Sequence, residues 1–159
     1  MERLKEVEEA VALMQEAVNW SVMKWLAEKK RVRKAADKAN EALAQFNKSV
    51  KASWSAEMKA AYAELCSTGK SAERQAGEKG NHTATITQEI RHVAKHVKEA
   101  DDEAYRAHMD AEDTFDLAEK RLSTSMAREG TRKAINSWEL LEKAIDKAQA
   151  VKRSNGSAS

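Results

Sequence analysis

Residues 69–83, Gly-Lys-Ser-Ala-Glu-Arg-Gln-Ala-Gly-Glu-Lys-Gly-Asn-His-Thr, hold three of the chain's five glycines and decide how the rest is read. Glycine and short polar residues cluster here as they do in loops. On either side the punctuation is missing. No glycine falls between residue 2 and residue 68, and the 159-residue sequence has no proline. An all-α chain follows, in which arm one (2–68) and arm two (84–152) flank one loop (69–83), and residues 154–159 form a disordered tail.

Both arms carry an apolar stripe at alternating spacings of three and four. In the first it runs through Leu4, Val7, Val11, Met14, Val18, Val22 and Trp25. It resumes with Val32, Ala36, Ala39, Leu43, Phe46, Val50, Trp54, Ala61 and Leu65. In the second it runs through Ile86, Ile90, Val93, Val97, Ala100, Ala104, Ala111, Phe115, Ala118, Leu122 and Met126. Beyond Gly130 it continues with Ala134, Trp138, Leu141, Ile145 and Ala148. This is the a/d period of a coiled-coil seam. Gly69 is a plausible αL cap after Cys66, and Thr85 with Gln88 (or Thr83) makes a cap for arm two. Two uninterrupted arms would form a long antiparallel two-helix hairpin, about 100 Å at ~1.5 Å per residue. The alternative is a compact four-helix bundle with hidden turns near 33–37 and 110–114.

Charge patterning bears on the register. Residues 29–51 hold eight basic side chains and two acidic ones, while residues 99–121 hold nine acidic and three basic. Folding about the loop sets residue 29 opposite residue 121 and residue 51 opposite residue 99. The two unlike segments then lie side by side, as flanking charges do when they select a coiled-coil partner. The same register sets Trp20 beside Gly130.

Composition excludes several classes. Twenty-eight basic and 26 acidic residues leave a net charge of +2. The lone cysteine, Cys66, cannot form an internal disulfide. No stretch approaches the roughly 18 apolar residues of a membrane span, and no signal peptide is visible, so a soluble cytoplasmic protein is expected. Catalytic arrangements and cofactor motifs are lacking as well: Gly77-Glu-Lys-Gly80 is not a phosphate loop. The expected protein is no enzyme and needs no cofactor.

Three surfaces remain. Leu13, Trp20 and Ala27 form a second apolar stripe joined by Met23, and Trp138 and Leu140 widen the apolar face of arm two. A helix apolar on two faces needs two neighbours, and a hairpin supplies one. Leu13, Trp20, Met23, Trp138 and Leu140 are therefore the candidate partner-binding residues. Their expected partner is another protein chain, a second copy above all, in a homodimer with a scaffold or adaptor role. Glu89, His92 and His96 are weak metal candidates, because Glu89 and His92 have the E-x-x-H spacing and His92 and His96 stand at i, i+4. The basic run Lys29–Lys34 is a weak nucleic-acid candidate, since the acidic arm competes for it and no aromatic residues interleave with it.

Overall fold

A computed structural model describes residues 2–67 and 87–158, and the loop read at 69–83 falls outside them, as do the caps read at Gly69, Thr83 and Thr85. Five helices make up the described residues: α1 (Glu2–Ala17), α2 (Val22–Ala52), α3 (Ala56–Cys66), α4 (Gln88–Arg121) and α5 (Thr124–Ala158). The all-α reading holds. The helices pack as a bundle, and neither arm is one continuous helix. Chain reversals fall at 18–21 and 122–123, where the bundle reading had placed them at 33–37 and 110–114. A third break, at 53–55, bends the chain from α2 into α3. The last helix continues to Ala158, beyond Lys152 where arm two was expected to end and through residues read as a tail. No proline stops it.

A serine caps the helix that follows each of these breaks. Ser21 accepts a hydrogen bond from the Lys24 N–H, Ser55 from the Met58 N–H and Ser123 from the Met126 N–H, each at 3.3 Å. A serine N-cap satisfies a donor that a helix start leaves open, contributing about 1 kcal/mol. Each cap follows a large apolar residue: Trp20, Trp54 or Leu122. Thr87 caps α4 in the same way, accepting from the Ile90 N–H at 3.1 Å. At the other turn α4 ends on Leu122 in the left-handed conformation (φ 52°), with the N–H groups of Leu122 and Ser123 both returning to the Ala118 carbonyl. Within α2, Glu28 departs from helical geometry and kinks the helix.

The helix directions follow from cross-links. Arg33 meets Glu112 and Asp116, and Lys51 meets Asp101, so α2 and α4 are antiparallel. Trp25 reaches Thr131 and Trp54 reaches the Ala148 carbonyl, so α2 and α5 are parallel. Helix α1 lies against α2 and α5, and α3 against α4.

The main core joins α1, α2, α4 and α5 around Met14, Trp25, Val32 and Phe115, all fully buried. A second cluster, with Val50, Trp54, Met58, Val97 and Ala148, fills the end where α3 replaces α1. Most residues of the expected seams are buried, including Val7, Val11, Ala36, Ala39, Leu43, Ala104, Leu141 and Ile145. Leu65 and Leu122 are exceptions, both exposed near helix ends. Gly130 faces Phe115 rather than Trp20, because the 122–123 reversal folds α5 back on α4. Trp20 stays near that stretch through Arg128, whose Nη2 donates to the Trp20 carbonyl at 3.1 Å.

Candidate functional site

Polar chemistry collects along the seam between α2 and α4. The register read from charge is the one observed: the basic segment of α2 lies along the acidic segment of α4. Arg33 donates to Glu112 at 2.8 Å and pairs with Asp116 at 2.8 Å and Glu119 at 3.3 Å. Its guanidinium also lies 5.6 Å from the centre of the Phe115 ring. Partial burial works against its charge, but three carboxylates outweigh that and hold Arg33 more firmly protonated than usual.

One turn along, Asp37 of α2 approaches His108 and Glu112 of α4. One ligand atom from each of the three lies within 4.8 Å of the other two. His108 and Glu112 are half-buried and stand at i, i+4, whereas Asp37 is on the solvent side. Partial desolvation and then the neighbouring Glu112 carboxylate push the Asp37 carboxyl up to about 6. Glu112 moves down: burial opposes the shift, and hydrogen bonding to Asp37 and Arg33 outweighs it. Glu112 Oε2 is occupied by Arg33, and Oε1 is buried with no donor beside it except the Asp37 carboxyl while that carries its proton.

Towards α3 the helices open into a cleft of about 330 Å³, lined by Asn40, Asn47, Lys51, Tyr62, Asp101 and Tyr105 among others. Asp101 organises it, accepting from Asn47 Nδ2 at 2.9 Å, from Lys51 Nζ and from the Tyr62 hydroxyl. Burial, then Asp101, then Cys66 hold the Tyr62 phenol protonated far above its usual range. Asn47 is 5% exposed, and its Oδ1 has no partner.

The residues singled out from sequence are distributed differently. Trp20 is buried in the chain's own core, and Leu13, Trp138 and Leu140 pack half-buried against that core. Met23 is 81% exposed. The second apolar stripe thus finds its second neighbour within the chain, which removes the argument that it required another one. His92 and His96 come together with Nε2 atoms 3.1 Å apart and rings edge to face, both exposed. Glu89, also exposed, does not complete a three-ligand group with them; among the described residues that group is Asp37, His108 and Glu112. The Lys29–Lys34 run is divided: Lys30, Arg31 and Lys34 are exposed, Val32 is in the core and Arg33 turns to α4. Cys66 is exposed at the end of α3.

Sequence reading passed over Asp37 and His108 because they lie on different arms. The charge register, which sets position 37 near position 112, was the signal that could have joined them. No helix among the described residues is long and apolar enough to cross a membrane. Fold and seam define an all-helical bundle with a polar groove along one side. No protein family, curated protein or solved structure matches the chain.

Proposed function

We propose that the chain is a non-enzymatic interaction protein, a helical bundle that pairs with a second copy of itself across the outer faces of α2 and α4. The observation that carries this reading is a pair of unlike faces on adjacent helices. On α4, Tyr105, Met109 and Leu117 share one i, i+4 row, which Asp113 interrupts, and are 65%, 42% and 38% exposed. Glu103, Asp110, Asp113 and Asp116 are exposed around them, and Arg106 offsets one of these charges. On α2, Lys30, Lys34, Lys38 and Lys48 are exposed, Asp37 and Glu41 offset two of these charges, and Met23 heads the same face.

An exposed apolar row within charged surroundings marks an interaction surface. Its acidic rim suits a basic helix, and the chain carries one. Because α2 and α4 are antiparallel neighbours, a two-fold axis between them would set α2 of each copy on α4 of the other. That is the self-complementary geometry of a closed dimer. Charge would set register and partner choice, and Met109, Leu117 and Met23 would supply the apolar burial.

Light scattering on a sizing column tests it. The wild-type chain should run as a dimer that weakens between about 50 mM and 500 mM salt. Lys30→Glu with Lys34→Glu, and separately Glu103→Lys with Asp113→Lys, should each give monomers. Mixing those two variants restores complementarity on both halves of the interface and should restore pairing. A wild-type chain that is monomeric at every salt concentration, or variants that pair unchanged, would refute the reading.

A further inference from the structure

We propose that Asp37, His108 and Glu112 form a binding site for a divalent transition-metal cation, bridging α2 and α4. Nothing in this inference depends on self-pairing. One imidazole nitrogen and two carboxylate oxygens are a borderline donor set of the kind that holds zinc. The three ligands come from two helices, two of them one turn apart on the same face of α4. Their positions are therefore set by backbone already fixed through the core contacts of Phe115 and Val32. Ligand atoms within 4.8 Å of one another need only rotamer adjustment to reach the ~2.0–2.2 Å bond lengths of zinc to nitrogen and oxygen.

A second observation points the same way. Arg33 holds Glu112 Oε2 at 2.8 Å, which orients the carboxylate, and once Asp37 is ionised Oε1 is buried with no donor beside it. A buried carboxylate oxygen with no donor carries a desolvation cost that a cation would remove. Hydrogen bonding to the far oxygen of a ligating carboxylate is how outer residues fix a metal ligand. The charge balance leaves room for a cation: Glu112, Asp116 and Glu119 surround a single Arg33, and Asp37 adds a further carboxylate beside Glu112. By contrast His92 and His96 are both exposed and have no third ligand grouped with them among the described residues.

Isothermal titration of the metal-stripped, untagged full chain with zinc chloride tests the site, with far-UV circular dichroism confirming that each variant is folded. One zinc per chain is expected. His108→Gln and Asp37→Asn should each weaken binding at least tenfold, while the double variant His92→Ala, His96→Ala should bind as the wild type does. His108→Gln keeps a side chain of similar bulk in the half-buried position, so lost affinity there reports ligation. Failure of the wild-type chain to bind zinc would overturn the proposal. So would zinc binding that survives His108→Gln unchanged, or binding abolished by the His92, His96 double variant instead.

Discussion

Gly130 lies against the ring of Phe115, so closely that a Cβ on Gly130 would stand 2.9 Å from Phe115 Cδ1. The ring has little freedom to retreat. Trp25 stacks on it at 6.1 Å between centroids, and the Arg33 guanidinium lies 5.6 Å from its centre. Replacing glycine in a helix ordinarily helps by about 1 kcal/mol. Here overpacking, at about 1–3 kcal/mol, should win. Gly130→Ala is expected to lower stability by about 1 kcal/mol in denaturant unfolding. The same change in a Phe115→Leu background should cost less, because the obstructing ring is gone.

The α4–α5 turn invites the opposite change. Leu122 adopts φ 52° while its side chain is 65% exposed. A left-handed conformation costs a non-glycine residue about 1–2 kcal/mol, and an exposed leucine recovers little of that by burial. Leu122→Gly should therefore stabilise the chain by about 1 kcal/mol, read as a raised thermal midpoint.

Trp20 was expected to be a partner-binding residue. Its burial leads to a different outcome. Trp20→Ala should cost about 3–5 kcal/mol by opening a cavity in the core, and the thermal midpoint should fall accordingly. The indole Nε1 is buried without a partner. Trp20→Phe removes that unsatisfied donor while keeping most of the apolar volume, and should stay within about 1 kcal/mol of the wild type.

Asp37 makes stability depend on pH. Partial desolvation first, then Glu112 and Glu41, push its carboxyl up to about 6 from an ordinary 3.8, against the opposing pull of Arg33. The folded state binds this proton more tightly than the unfolded one. Ionising Asp37 therefore costs stability, and the cost grows as pH rises from about 4 to about 6 and persists above. In metal-free buffer Asp37→Asn should be more stable than the wild type at pH 7–8, with the difference shrinking towards pH 4. A difference that widens on acidification would contradict the sign.

Arg33 should be the costliest surface-proximal charge to remove. It pairs with Glu112, Asp116 and Glu119 while its side chain is 22% exposed. Arg33→Ala leaves those carboxylates facing one another, and a loss of about 2 kcal/mol is expected, between the values of an exposed and a buried pair. The loss should shrink at high salt, which a series of unfolding curves would reveal.

The apolar period is a local property of the chain, so the seam residues from Val7 to Trp54 and from Val97 to Ala148 were legible as they stood. The unlike charges of 29–51 and 99–121 were legible too, because complementarity between two helices survives whatever packs behind them; Arg33 and Lys51 meet Glu112 and Asp101 as that register requires. The reversals at 18–21 and 122–123 were not. They use serine caps rather than glycine or proline, and a serine within a helix-forming stretch shifts the balance by only about 1 kcal/mol. What tips that balance is burial of Trp20 and Phe115 among helices distant in sequence, a gain that exists only once the chain has folded back. The same closure brings His108 to Asp37 and leaves Tyr105 and Met109 uncovered. Sequence alone determined the helical class, the buried stripe and the charge register. The tertiary structure decided how many helices share the core, and hence which side chains remain at the surface, because those depend on packing between residues that no local period relates.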